Sequence, residues 1–404
     1  MKVINYKGRT LLAAALASVV ALALALVAGC ATQPASNSTP ELMIVGNDEK
    51  VTWDDNGKLV LLPPGMDSVS IIDVADRLNP KIIVSLPLMN SIFGPPVNLA
   101  ITPDQKLALV ANSMDWARDD ANWKSVPDNK LYVIDLEADP PQLIDTVTVG
   151  KQPSGMAINR AGDLALIANR TDNSISVVKI SGKSVKLIDT VPIGEQVAHV
   201  AIAPDGRRAL AAKFPGHKIA LLEINGDKVT YNKQDMPVGL WPYNVDITPD
   251  GKLAITADNG NSGSSDGHVD TVSVIDMEAN PPRVIDKVVV GDAPEGFAIS
   301  PTGKFAVAVL LRGTNAAKSA WFYHRNALVV GLRIDGKKVT RTNEVEVRGL
   351  PEGVVFSSDG NYVYVGNFMD SDISILRVDG DRLVNTGKSL QLPGHPASMR
   401  GATR

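Results

Sequence analysis

Of the residues that make cross-links and soft metal sites this chain has almost none: one cysteine, Cys30, and five scattered histidines among 404 residues. A lone cysteine excludes an intrachain disulfide, a cysteine-rich zinc site and an iron–sulfur cluster, and without Cys-x-x-Cys-His there is no covalent haem. Helix-forming stretches are absent beyond the N-terminal leader, and no nucleophile elbow, His-Glu-x-x-His or phosphate-cradling glycine loop announces a reaction. Basic excess is also missing. The formal net charge is −4, and losing Lys2, Lys7 and Arg9 with a cleaved leader would take it to −7. Such a surface has no general attraction for phosphate backbones, so a nucleic-acid partner is disfavoured. What is present, 44% apolar and 21% charged residues, suits a folded chain that buries a large core by packing alone.

The N-terminus reads as an address. Lys2, Lys7 and Arg9 precede the apolar run from Leu11 to Val27, which stops at Val27-Ala28-Gly29-Cys30. The run approaches the ~20 residues that span a bilayer, so a transmembrane anchor is the alternative. Small residues before the cysteine and a polar stretch after it, Ala31 to Pro40, favour lipidation. The segment resembles a bacterial lipobox, which implies a signal peptide over 1–29, acylated Cys30 as the mature N-terminus, a flexible tether over 30–40, and a folded domain over 41–404. Two or more acyl chains give a stable membrane hold. Ala31, with no Asp at that position, resembles outer-membrane sorting, so the expected location is the cell envelope, facing the periplasm or the surface, with the chain acting as a monomer.

From residue 41 one pattern returns. Lys151 to Asn169 aligns with Leu240 to Asp258 and with Asp292 to Val309, and glycines close the units at Gly94, Gly150, Gly194, Gly239, Gly291 and Gly349. Their shortest spacings, 44 and 45 residues, match a four-stranded blade. Within one unit, strands are expected over Gly155 to Asn159, Leu164 to Asn169, Ser174 to Ile180 and Leu187 to Ile193, called a to d from the axis outward. Pro-Asp-Gly turns join a to b. The units run 41–94, 95–150, 151–194, 195–239, 240–291, 292–349 and 350–401, which predicts an all-β fold, a seven-bladed β-propeller of four-stranded blades. His395 to Arg400 repeats the start of a unit, so the C-terminus is expected to pair with the first blade and remove the free edges.

Val-Ala-Asn112, Ile-Ala-Asn169 and Val-Gly-Asn367, each followed by a strand such as Leu131 to Asp135, resemble YVTN-type repeats over essentially the whole mature chain. That resemblance implies a seven-bladed propeller of the group that includes lactonase-like proteins, and sugar lactones or related substrates if the chain is an enzyme. WD40 repeats are disfavoured, because Trp53-Asp54 is a lone pair in the wrong place.

Blade register sorts residues by face. The d-to-a and b-to-c connections emerge together, and three insertions fall in b-to-c connections: Ser113 to Lys130, Asn259 to Asp270 and Leu310 to Asn326. This face holds Trp116, Trp123, Trp241, Tyr243, Trp321 and Tyr323, interleaved with Arg312, His324 and Arg325, and is the candidate ligand-binding surface. The plainer reading is that the aromatics pin their own loops. Around the channel mouth, Asn98, His199 and Asn244 replace the glycine held by Gly155, Gly296 and Gly353, with Glu295 and Glu352 just before that slot. His199, Glu295 and Glu352 are candidate catalytic groups, while Asn98 and Asn244 are candidate oxygen ligands for a divalent metal ion. Lys213 and Asp258, in the slot ending strand b, complete the candidate ligand set. Structural hydrogen bonding is the competing reading for this ring. Two functions therefore stand: binding of a small molecule, glycan or partner protein on the aromatic face, or lactonase-like hydrolysis or isomerisation at the channel mouth.

Overall fold

The computed structural model describes residues 41–403. The leader 1–29, Cys30 and the tether to residue 40 lie outside the described residues, so the lipidation expectation is not addressed by it. Among the described residues no helix is long and apolar enough to cross a membrane.

Seven four-stranded antiparallel sheets form a β-propeller. The third blade shows the unit: Pro153–Ile158, Leu164–Asn169, Ser174–Ser181 and Ser184–Pro192 run from axis to rim. These match the expected strands, except that strand d starts earlier, because Gly182 (φ 57°) permits a two-residue turn. Each inner strand touches the inner strands on either side, closing a ring. One apolar cluster fills each gap between neighbouring sheets; between the third and fourth it includes Leu166, Ile175, Val177, Ala211 and Leu222. Strands a to c are therefore apolar on both faces, while strand d is mostly exposed: in Ser184–Pro192 only Val185 and Val191 are buried.

The ring closes at the C-terminus. Pro396–Gly401 is the inner strand of the first blade and pairs antiparallel with Leu42–Asn47. The unit boundaries shift accordingly. The first unit supplies only three strands of its sheet, and the seventh ends at Gln391.

Two of the expected connections differ. Ser113 to Lys130 is not a loop: Leu107–Asp119 and Asn122–Asp135 continue past the sheet as a long hairpin. A fourth b-to-c insertion lies between Asn47 and Ser68 and carries the small hairpin Val51–Trp53 with Leu59–Leu61. It brings Trp53 to the same face as the other four tryptophans.

Candidate functional site

Each inner strand is entered from the same end of the channel, and the residue that follows Pro96, Pro153, Val197, Pro242, Pro294, Pro351 or Pro396 stands at the channel mouth. Around the ring these are Val97, Ser154, Ala198, Tyr243, Glu295, Glu352 and Ala397. One step deeper come Asn98, Gly155, His199, Asn244, Gly296, Gly353 and Ser398. The glycines let backbones meet: a Cβ on Gly296 would lie 2.1 Å from the Glu352 carbonyl oxygen, and one on Gly353 would lie 2.6 Å from the Met399 nitrogen.

Glu295 and Glu352 thus occupy one layer on adjacent strands, both buried. Burial raises the Glu295 pKa to about 8, although the Arg170 charge and a 3.3 Å hydrogen bond from Asn259 Nδ2 to Oε2 pull it down. Burial and then repulsion by Glu295 hold Glu352 well above the carboxylate range, and its Oε2 has no protein partner. As pH nears 8 Glu295 begins to ionise while Glu352 keeps its proton, which gives one acid and one base in a single site.

Arg170 follows the last residue of strand b in the third blade. Its Nη1 donates to the Tyr243 phenol oxygen at 3.0 Å, and the guanidinium carbon sits 4.7 Å from the Phe214 ring centre and 5.5 Å from that of Tyr243. Burial raises the Tyr243 pKa to about 12, so the phenol stays protonated. Arg170, Tyr243, Glu295 and Glu352 line a cavity of about 370 Å³ roofed by Trp53, Phe93 and Leu350. Gly94, where a Cβ would lie 2.6 Å from Ser154 Oγ and 3.6 Å from Arg170 Nη1, keeps that corner open. Ser154 Oγ and Ser113 Oγ are buried with no protein partner, and such atoms are the ones a bound solute must satisfy.

The structure separates the remaining candidates. His199 is buried beside the channel, its Nδ1 accepting from the Val245 N–H at 3.3 Å, and burial followed by the Arg400 charge lowers its pKa to about 3. It is a neutral wall residue at physiological pH and does not share the glutamates' layer. Asn98 Nδ2 donates to the Ala111 carbonyl at 2.8 Å, whereas both amide atoms of Asn244 lack a protein partner. Among the described residues no three His, Cys, Asp or Glu side chains are grouped to hold a metal ion.

The slot ending strand b is a fastener. Asp258 accepts hydrogen bonds from Thr256, Thr271 and Ser273, as Asn169 donates to Ser174 and Ser176 in the third blade. Lys213 bridges to Asp235 at 2.8 Å and Glu195 at 3.2 Å; burial lowers its pKa, but these partners and Tyr231 raise it further. Neither side chain is free to face a ligand.

The aromatics divide in two. Trp116 is buried against Phe93, Trp241 meets Phe214 edge-on at 5.0 Å, and Arg118 covers Trp123 at 4.4 Å, so these three pin the upper layer in place. Trp321 is 77% exposed, with Tyr323 and His324 beside it on the same loop. Arg325 pairs with Asp370, and Arg312 reaches the Asn326 carbonyl and Glu346, so both are held on the rim.

Sequence reasoning missed Arg170, Asn259 and Trp53. The first two stand one residue beyond strand b, where the other blades place Asp48, Ser113, Phe214, Leu311 and Phe368. Aligning that position, and not only the one before it, reveals a lone cation.

No family profile matches the chain, and no curated protein matches it in sequence. Solved structures do match in shape. A Bacteroides fragilis candidate 6-phosphogluconolactonase is 16% identical, with TM-score 0.68 over 92% of this chain and 100% of that one. A Pseudomonas aeruginosa periplasmic gluconolactonase is 18% identical, with TM-score 0.62 over 90% and 99%. Kuenenia stuttgartiensis hydrazine synthase is 19% identical, with TM-score 0.56 over 72% and 79%. Likeness at this level of identity establishes the seven-bladed β-propeller and leaves the chemistry to the residues at its mouth.

Proposed function

We propose that the protein hydrolyses a small polyhydroxylated lactone at the channel mouth. The observation that carries this reading is the Glu295 and Glu352 pair, buried with raised pKa values beside a fixed cation. The ionised member takes a proton from water as the water oxygen attacks the lactone carbonyl. Arg170 faces the developing oxyanion. The neutral member gives its proton to the ring oxygen as the C–O bond breaks, and the pair ends with one proton, as it began. One arginine against two carboxyls favours an uncharged lactone over a phosphorylated one. The structures of gluconolactonase-type propellers support the substrate class by shape only.

The test is release of acid from a panel of aldonolactones by the purified full chain. Turnover lost in Glu352→Gln and kept in Trp321→Ala is expected. A correctly folded protein that opens none of the lactones overturns the reading. A second reading, capture of a glycan or partner protein on the rim, is favoured by exposed Trp321, Val269 and Leu240. Quenching of tryptophan fluorescence by an envelope glycan, abolished in Trp321→Ala, would support it.

The envelope location is part of the same proposal: Cys30→Ser should move the protein from the detergent phase to the aqueous phase on fractionation. Retention of the variant in the detergent phase would overturn lipid anchoring.

A further inference from the structure

The channel has a second end. Three residues along each inner strand from the glutamate layer, about 10 Å by strand rise, five blades place Ala100, Ala157, Ala201, Ala298 and Val355. The other two place Asp246 and Arg400. The small side chains leave a cavity of about 200 Å³ with Arg400 in its wall.

Asp246 does not neutralise Arg400. Its Oδ1 accepts from the Ile247 N–H at 2.9 Å and its Oδ2 from the Ile299 N–H at 3.0 Å. The Arg400 guanidinium has no hydrogen bond or ion pair among the described residues, only the more distant attraction of Asp246. Burial lowers the pKa of Arg400 and raises that of Asp246, and the attraction between the two offsets this only in part. A second cation guards the exit: Arg160 Nη2 reaches from the third blade to the Pro249 carbonyl of the fifth, at 2.9 Å.

We propose that this end of the channel binds a small carboxylate, gripped by Arg400 with Arg160 at the rim. A guanidinium left with its donors free matches the planar, two-oxygen geometry of a carboxylate. The methyl groups of Ala157, Ala201 and Ala298 receive a short alkyl chain, and the cavity size limits the acid to a few carbons. The proposal does not depend on hydrolysis at the other end.

Calorimetric titration of the full chain with sodium propionate, at ionic strength fixed by sodium chloride, tests it. Saturable binding is expected, weakened at least about tenfold in Arg400→Met, partly restored in Arg400→Lys and unchanged in Glu352→Gln. Should Arg400→Met fail to fold, Ala201→Leu fills the cavity and keeps the cation, and it too must lose binding. Propionate binding that persists in either cavity variant, no saturable heat with the unaltered chain, or saturation by phosphate alone overturns the proposal.

Discussion

Arg170 of the third blade reaches across the fourth to donate a hydrogen bond to Tyr243 of the fifth, at 3.0 Å. The Phe214 ring lies beneath the guanidinium on the way. An aromatic bed holds a planar cation without neutralising it. The charge therefore remains available to the acids on the sixth and seventh blades, and it lowers the Glu295 pKa against burial. Arg170→Met should reduce lactone kcat/KM by about 10²-fold, mostly through kcat. It should also raise the lower limb of the pH–rate profile, and Arg170→Lys should recover part of both. A variant that changes KM alone would mean that Arg170 only binds.

Stability should depend on pH through the same pair. An unfolded Glu295 ionises near its ordinary value of 4.5, while the folded one keeps its proton to about 8. Between those values the native state binds more protons, so its advantage is complete at low pH and is lost as pH rises through 8. His199 acts in reverse. Its folded pKa of about 3 costs stability as pH falls below 6.5, where the unfolded imidazole takes a proton. From pH 6.5 to 8 the decline belongs to the glutamates, and urea midpoints should fall across that window in the unaltered chain, less steeply in Glu295→Gln, and stay flat only when Glu295→Gln and Glu352→Gln are combined.

The fold was legible in the sequence because a propeller repeats: Leu164 to Asn169 and its counterparts had to be strands in register, and the glycine slots marked the axis. Asn98, His199 and Asn244 stood out as departures from the glycine slot, and Glu295 and Glu352 as the acids just before it. Lys213 and Asp258 stood out equally, yet they are fasteners, since whether a polar residue at a strand end faces the channel or its own third strand is decided by packing that one blade's letters do not record. Arg170 and Arg400 were hidden for another reason. Their roles come from residues on other blades, Phe214 and Tyr243 for one, Asp246 for the other, brought together only by ring closure.

The glycine slots carry a prediction of their own. A Cβ at Gly296 would press on the Glu352 carbonyl, which is backbone and cannot rotate away. Gly296→Ala should cost about 1–3 kcal/mol by overpacking and should also lower turnover by displacing Glu352. Gly206→Ala, in an open turn at φ 68°, meets nothing within 4 Å. It should cost about 1 kcal/mol through φ alone and leave kcat unchanged. Equal losses of activity in the two variants would remove the link between strand spacing and the acid pair.

Two tryptophans on one face should behave as opposites. Trp116 is 7% exposed, stacked on Phe93, with Lys50 Nζ 5.0 Å from its ring centre, so it holds the long hairpin of the second blade to the first blade's insertion. Trp116→Ala should cost about 3–5 kcal/mol and loosen the roof over the cavity, raising KM. Trp321, 77% exposed, meets Phe322 edge-on at 5.6 Å and closes over Gly267, where a Cβ would lie 2.5 Å from its ring. Its removal uncovers little core. Trp321→Ala should therefore change the unfolding free energy, read from urea titration, by less than about 0.5 kcal/mol and leave lactone turnover intact. A stability loss at Trp321 as large as that at Trp116 would make the exposed indole part of the roof, and the boundary of the site would then have to be drawn out to the rim.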